Sequence, residues 1–110
     1  MDKLKLIKTL LEDKKAEDIS VLDVRKHTNI ADYFIIATAN SSVHAKALAE
    51  HLEKELKNRG ITIDHVEGLN EHAQWILIDL LDIIVHIQTK EAREYYNLDW
   101  LWSNAERVSL

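Results

Sequence analysis

No cysteine occurs among the 110 residues, which removes disulfides, thiolate zinc sites and thiol nucleophiles together. Glycine is almost absent as well, with Gly60 and Gly68 the only two. A phosphate-cradling loop of the GxGxxG or Walker kind cannot be assembled from them, so nucleotide binding by those routes is excluded. No GxSxG, HExxH or EF-hand pattern is present either. The N-terminal stretch MDKLKLIKTLLEDKK has no uninterrupted apolar run. It mixes acidic with basic residues, which counts against a signal peptide, a membrane anchor and a transit peptide and makes the cytoplasm the expected compartment.

What is present describes one soluble α/β domain spanning residues 1–110. A 46% hydrophobic and 30% charged composition is that of a chain able to bury one core. The net charge of -5 repels a phosphate backbone and disfavours direct nucleic-acid binding. It favours a basic protein partner, although such a charge is also ordinary for soluble domains.

Periodicity then places the elements. Leu4, Ile7 and Leu11 fall at helical spacing, with Asp2 as N-cap, for a helix reaching about Ala16. Ile19 to Arg25 reads as a strand with Asp23 inside it, and Asp32 to Ala39 as a strand covered on both faces and therefore central. The polar cluster Asn40, Ser41 and Ser42 caps a long helix whose buried face runs through Ala45, Leu48, Ala49, Leu52 and Leu56, and Gly60 ends it. Ile61 to Val66, Trp75 to Asp79 and Asp82 to Gln88 read as strands, the last two forming an antiparallel hairpin across Leu80 and Leu81. Helical turns follow from Lys90 to Tyr96 and around Leu98 to Trp102. The order αββαβββα predicts a mixed sheet of about five strands packed by helices.

Three groups of residues invite chemistry. His44 and His51 share a helix face but stand two turns, roughly 10 Å, apart, too far for one ion. His65 and His72 sit in or beside the loop, where they could approach Asp79 or Asp82, but read better as isolated solvated histidines, and His86, within an apolar strand, as a hydrogen-bonded core histidine. Asp23, Asp79 and Asp82 are the one acidic constellation, and carboxylates at strand ends of a mixed sheet hold magnesium in metal-dependent nucleotidyltransferases. No phosphate-binding element accompanies them, so carboxylates in turns and caps, or facing a basic partner, are the favoured reading. Trp75 heads its strand after the polar loop Asn70 to Gln74, where it is either core or, if exposed, an interface anchor.

The motifs LDV (Leu22 to Val24), DxxIIxT (Asp32 to Thr38), SSxH (Ser41 to His44), Glu67-Gly68, WIxxD (Trp75 to Asp79), DxIVH (Asp82 to His86) and RxxYxLDxLW (Arg93 to Trp102) follow one another along the chain. In this order and spacing the sequence resembles the ribosomal silencing factor family, also called RsfS or Iojap, from about Leu4 to Trp102. The resemblance implies a nucleotidyltransferase-like fold without catalysis, metal or cofactor. It also implies a function: binding ribosomal protein L-fourteen on the large ribosomal subunit, blocking joining with the small subunit and repressing translation when nutrients run short. By position it assigns partner contact to Trp75, Glu67, Asp79 and Asp82, and architecture to Asp23, Asp32, His86, Arg93 and Trp102. The sequence departs from the family at Leu81 and Ala39, where glycine is common, and at Val43, where a basic residue is frequent. A homodimer through exposed apolar residues such as Trp100 is compatible with this reading and with the nucleotidyltransferase alternative.

Overall fold

Two strands buried at nearly every position, β2 (Tyr33–Ala39) and β5 (Ile83–Thr89), run parallel at the centre of one six-stranded sheet. The computed structural model describes residues 2–110. Around the central pair the chain places β1 (Glu17–Asp23), β3 (His65–Glu67), β4 (Trp75–Asp79) and β6 (Glu106–Arg107), in the order β3-β4-β5-β2-β1-β6, and every pairing but the central one is antiparallel. The helices are α1 (Asp2–Asp13), α2 (Ser42–Asn58), α3 (Lys90–Tyr96) and α4 (Leu98–Leu101). A mixed α/β sheet with β2 central is thus as expected. The sixth strand is not: β6 is two residues long and pairs with Leu22 and Asp23 at the β1 edge.

Alternation along the strands creates two faces of different quality. Ile35, Ala37 and Ala39, Ile76 and Ile78, and Ile83, Val85 and Ile87 point to one side, where Leu4, Ile7 and Leu11 of α1 and Leu48, Leu52 and Leu56 of α2 cover them. Ser41 opens α2 by accepting the His44 backbone N–H at 3.0 Å, and Gly60 closes it at φ +73°. His44 fastens the same helix end to the α1–β1 turn, its Nδ1 accepting from the Asn40 N–H at 3.0 Å and its Nε2 lying 2.7 Å from the Lys14 carbonyl. The opposite face is smaller: Leu22, Phe34, Ile36 and Ile84 pack under Leu98, Ala105 and Trp102.

α3 and α4 are fastened over one half of that second face. The Arg93 guanidinium donates to Thr38 Oγ1 and Ser20 Oγ at 2.9 Å each, to the Asp18 carbonyl, and to Asp99 Oδ2 at 3.1 Å. Burial would raise the Asp99 carboxyl, but the Arg93 hydrogen bond and charge outweigh it and hold the group below its usual range. These bonds hold the helices over β1 and β2. Apart from the Tyr96 ring at Trp75, they leave β3 and β4 without a helical cover on this side.

β1 spans Glu17–Asp23 rather than Ile19 to Arg25, and two further boundaries and one turn each have a local cause. α1 ends at Asp13 rather than Ala16, because Lys15 adopts φ +64° in the following turn. The expected strand from Ile61 is regular only over His65–Glu67, since the Ile61 N–H is spent closing α2 on the Leu56 carbonyl. Leu81 keeps the positive φ that glycine would supply, at +74°, while its side chain stands 65% exposed. The Asp79 carboxylate braces this turn by accepting the Leu81 N–H at 2.7 Å.

A left-handed backbone costs a residue bearing a Cβ about 1–2 kcal/mol, and Leu81 gains no burial in return. Leu81→Gly is expected to raise stability by about 0.5–1 kcal/mol after the greater freedom of glycine in the unfolded chain is subtracted. Urea unfolding at pH 7 with an unchanged m-value measures it.

Candidate docking face

On β4 the alternation sends Ile76 and Ile78 into the helix-covered core and turns Trp75, Leu77 and Asp79 to the open half of the other face, all three half-buried. Trp75 therefore resolves as both core and surface. Its indole Nε1–H donates to His86 Nδ1 at 3.1 Å, and its ring packs 4.7 Å from Tyr96. The entry to β4 is held just before it, where Gln74 Oε1 accepts the Thr89 hydroxyl at 2.7 Å and the Gln74 carbonyl accepts the Thr89 N–H at 3.0 Å.

His86 is the post on which Trp75 rests. It is 6% exposed, edge-on to Phe34 at 5.1 Å, and Phe34 in turn meets Trp102 edge-on at 4.9 Å. Burial pushes its pKa down to about 4, so the ring is neutral at pH 7. Accepting the indole proton at Nδ1 then places the remaining hydrogen on Nε2. A core histidine was expected here; its bond to Trp75 was not.

Gly68 completes the seat. Its φ is +82°, and a Cβ at this position would collide with the carbonyl oxygen of Trp75. Only glycine lets the chain leaving β3 cross so close to the start of β4. The crossing leaves a groove of about 320 Å³ lined by Glu67, Gly68, Trp75 and Leu77. Tyr96 and Leu77 belong to this surface without having been assigned contact: Tyr96 is the tyrosine of the RxxYxLDxLW motif, and the two-residue period of β4 already groups Leu77 with Trp75.

The carboxylates distribute unevenly around this seat. Glu67 pairs with Leu77 across the β3–β4 ladder and lines the groove with Trp75. Asp79 shares the face but lies at the far end of β4, about 13 Å from Trp75 along the strand. His65 is not isolated: its Nδ1 lies 2.8 Å from Asp64 Oδ2 and 3.7 Å from Asp79 Oδ2, and its Nε2 lies 2.7 Å from Glu67 Oε2. The hydrogen bonds to Asp64 and then Glu67 raise the imidazole pKa. Asp82 sits in the turn beyond β4 with its carboxylate 2.9 Å from Lys3 of α1.

The acidic constellation of a metal-dependent nucleotidyltransferase does not assemble. Asp23 pairs in register with Tyr33, and Tyr33 with Ile83, on the face that α1 and α2 cover, whereas Asp79 pairs with Ile84 and faces the other way. Three inter-strand steps also separate β1 from β4, about 14 Å. Asp23 is instead closed by Arg25 at 2.6 Å, whose hydrogen bonds hold its pKa at about 2. Among the described residues no helix is long and apolar enough to cross a membrane.

The fold and this face define a small mixed α/β protein whose distinctive surface is a seated tryptophan with flanking carboxylates. The family model "Ribosomal silencing factor during starvation" matches residues 1–110. A ribosomal silencing factor of Halalkalibacterium halodurans is 42% identical over 107 residues, covering 97% of this chain and 91% of that protein. A crystal structure of a Bacillus halodurans protein superposes with a TM-score of 0.86 at 38% identity, covering 99% of this chain and 98% of the other. The mouse protein "Mitochondrial assembly of ribosomal large subunit protein 1" is 31% identical over 101 residues, covering 89% of this chain and 44% of its own. The chain belongs to the ribosomal silencing factor family.

The buried neutral His86 makes stability depend on pH in a defined direction. Its folded pKa of about 4 lies below the ordinary 6.5, so the unfolded chain binds more protons between those values, and stability falls as pH drops from about 6.5 to about 4. His65, shifted the other way, acts in the opposite sense. The expected loss from His86 between pH 7 and pH 5 is about 2 kcal/mol. It is read as the difference in pH dependence between the native protein and His86→Gln in urea unfolding.

Proposed function

We propose that this protein represses translation in the cytoplasm by docking on ribosomal protein L-fourteen of the large ribosomal subunit and sterically blocking its joining with the small subunit. Membership in the ribosomal silencing factor family supports the class of function. The relative concerned with large-subunit assembly supports the choice of subunit. The observation that carries the choice of surface is Trp75, a large aromatic held in a fixed pose by His86 yet half open beside a groove. A side chain ordered before binding loses little entropy on docking and, once desolvated, contributes more than its neighbours.

Glu67 and Asp79 flank Trp75 on the same face and suit a basic partner, and the net charge of -5 acts in the same sense at longer range. Asp82 contributes least of the four proposed contacts, because Lys3 already neutralises it. No chemical step is required of any of these residues. Occupying the joining surface is sufficient.

Trp75→Ala is expected to weaken co-sedimentation with isolated large subunits by at least about 30-fold, the effect of losing roughly 2 kcal/mol at an interface centre. Circular dichroism should show the fold retained, and Trp100→Ala, at a residue 69% exposed, should bind normally. Glu67→Gln with Asp79→Asn should slow association and flatten its salt dependence. Undiminished binding by Trp75→Ala would remove that residue from the contact.

A further inference from the structure

At the end of β4 remote from Trp75, three side chains present ligand atoms to one point. Asp64 Oδ2, His65 Nδ1 and Asp79 Oδ2 all lie within 4.8 Å of one another, with the imidazole nitrogen 2.8 Å from one oxygen and 3.7 Å from the other. Donors bound to one cation at about 2.1 Å stand about 3.0–3.4 Å apart in tetrahedral or cis-octahedral geometry. Side-chain adjustments smaller than about 1 Å would bring this set to that spacing.

We propose that Asp64, His65 and Asp79 form a binding site for a first-row divalent transition-metal ion, with zinc as the reference cation. Each donor is held by something other than the ion. Asp79 spends Oδ1 on the Leu81 N–H, which turns Oδ2 toward His65. The Asp64 N–H donates to the Asp79 carbonyl at 2.8 Å, fixing the two carboxylate-bearing backbones against each other. Glu67 Oε2 lies 2.7 Å from Nε2, so it orients the ring from behind, as an outer carboxylate does for a metal-bound histidine.

Charge supports the same assignment. Asp64, Glu67 and Asp79 share one imidazole, and among the described residues no lysine or arginine lies within 4 Å of any of the three. A divalent cation would take the place of the His65 Nδ1 proton, which leaves to solvent, and would offset two of the three carboxylate charges. The nitrogen donor selects zinc, copper, iron or nickel over magnesium and calcium, which favour all-oxygen sets. Three protein donors leave coordination positions for water, since Asp64 and His65 are exposed. Asp79 and Glu67 belong also to the proposed docking face, but this assignment does not rest on that reading, because zinc binding to the isolated protein needs no ribosomal partner.

Calorimetric titration of the whole protein with zinc chloride in a non-coordinating buffer tests it. The expected result is saturable binding of one equivalent, with affinity lowered at least tenfold in His65→Ala and again in Asp64→Asn and Asp79→Asn. The asparagine at position 79 retains an oxygen for the Leu81 N–H, so that variant leaves the turn intact. Magnesium chloride at the same concentrations should give no comparable heat, and the His65 ring protons should shift in NMR spectra as zinc is added. Absence of saturable binding, or unchanged affinity in His65→Ala with zinc carried by the other histidines, would overturn the proposal.

Discussion

The hydrogen bond from the Trp75 indole to His86 Nδ1, 3.1 Å long, is the contact on which the open face depends. It requires an unprotonated imidazole, and burial of His86 among Phe34, Trp75 and the central strands supplies that condition by disfavouring the charged ring. It also requires β4 and β5 to keep register, since Leu77 lies opposite His86 and Trp75 opposite Gln88. The tryptophan is therefore set by the sheet centre rather than by its own loop. Gly68, which alone lets the chain pass over the Trp75 carbonyl, locks the other side.

The asymmetry of helical cover turns this local geometry into a surface. α1 and α2 cover one face of the sheet, whereas Arg93 fastens α3 and α4 over the β1, β2 and β5 side, and only the Tyr96 ring reaches β4, at Trp75. Were the short helices extended over β4, Trp75, Leu77 and Asp79 would be interior, and a buried carboxylate at Asp79 would need a partner. Leaving β3 and β4 open exposes a tryptophan, an apolar groove and carboxylates together. The same openness keeps Asp64, His65 and Asp79 accessible to an ion.

Much of this was legible in the residues, and what was not follows a pattern. Trp75–Asp79 and Lys90–Tyr96 have the boundaries that alternation and helical spacing predict, because both are bounded by polar breaks and need only local information. β6 carries no readable period in two residues and exists because Leu22 and Asp23 offer a free edge. The Asp23, Asp79 and Asp82 grouping failed for a tertiary reason: which face a carboxylate takes depends on strand parity, and its distance from another depends on strand order. His65 was read as solvated for the same reason, since its meeting with Asp79 arises from a register across β3 and β4 that no linear spacing records. Leu81 stands where the family commonly has glycine, and the turn keeps a positive φ there with Asp79 as its brace.

The central claim, that the Trp75 face occupies the surface the small subunit needs, is tested most directly by light scattering of subunit association. Large subunits pre-incubated with this protein are mixed with small subunits, and the scattering increase is followed as joining proceeds. The account predicts an amplitude that falls with protein concentration for the native chain and is restored to the protein-free value by Trp75→Ala. Full joining in the presence of saturating native protein, or equal inhibition by the native chain and Trp75→Ala, would contradict it.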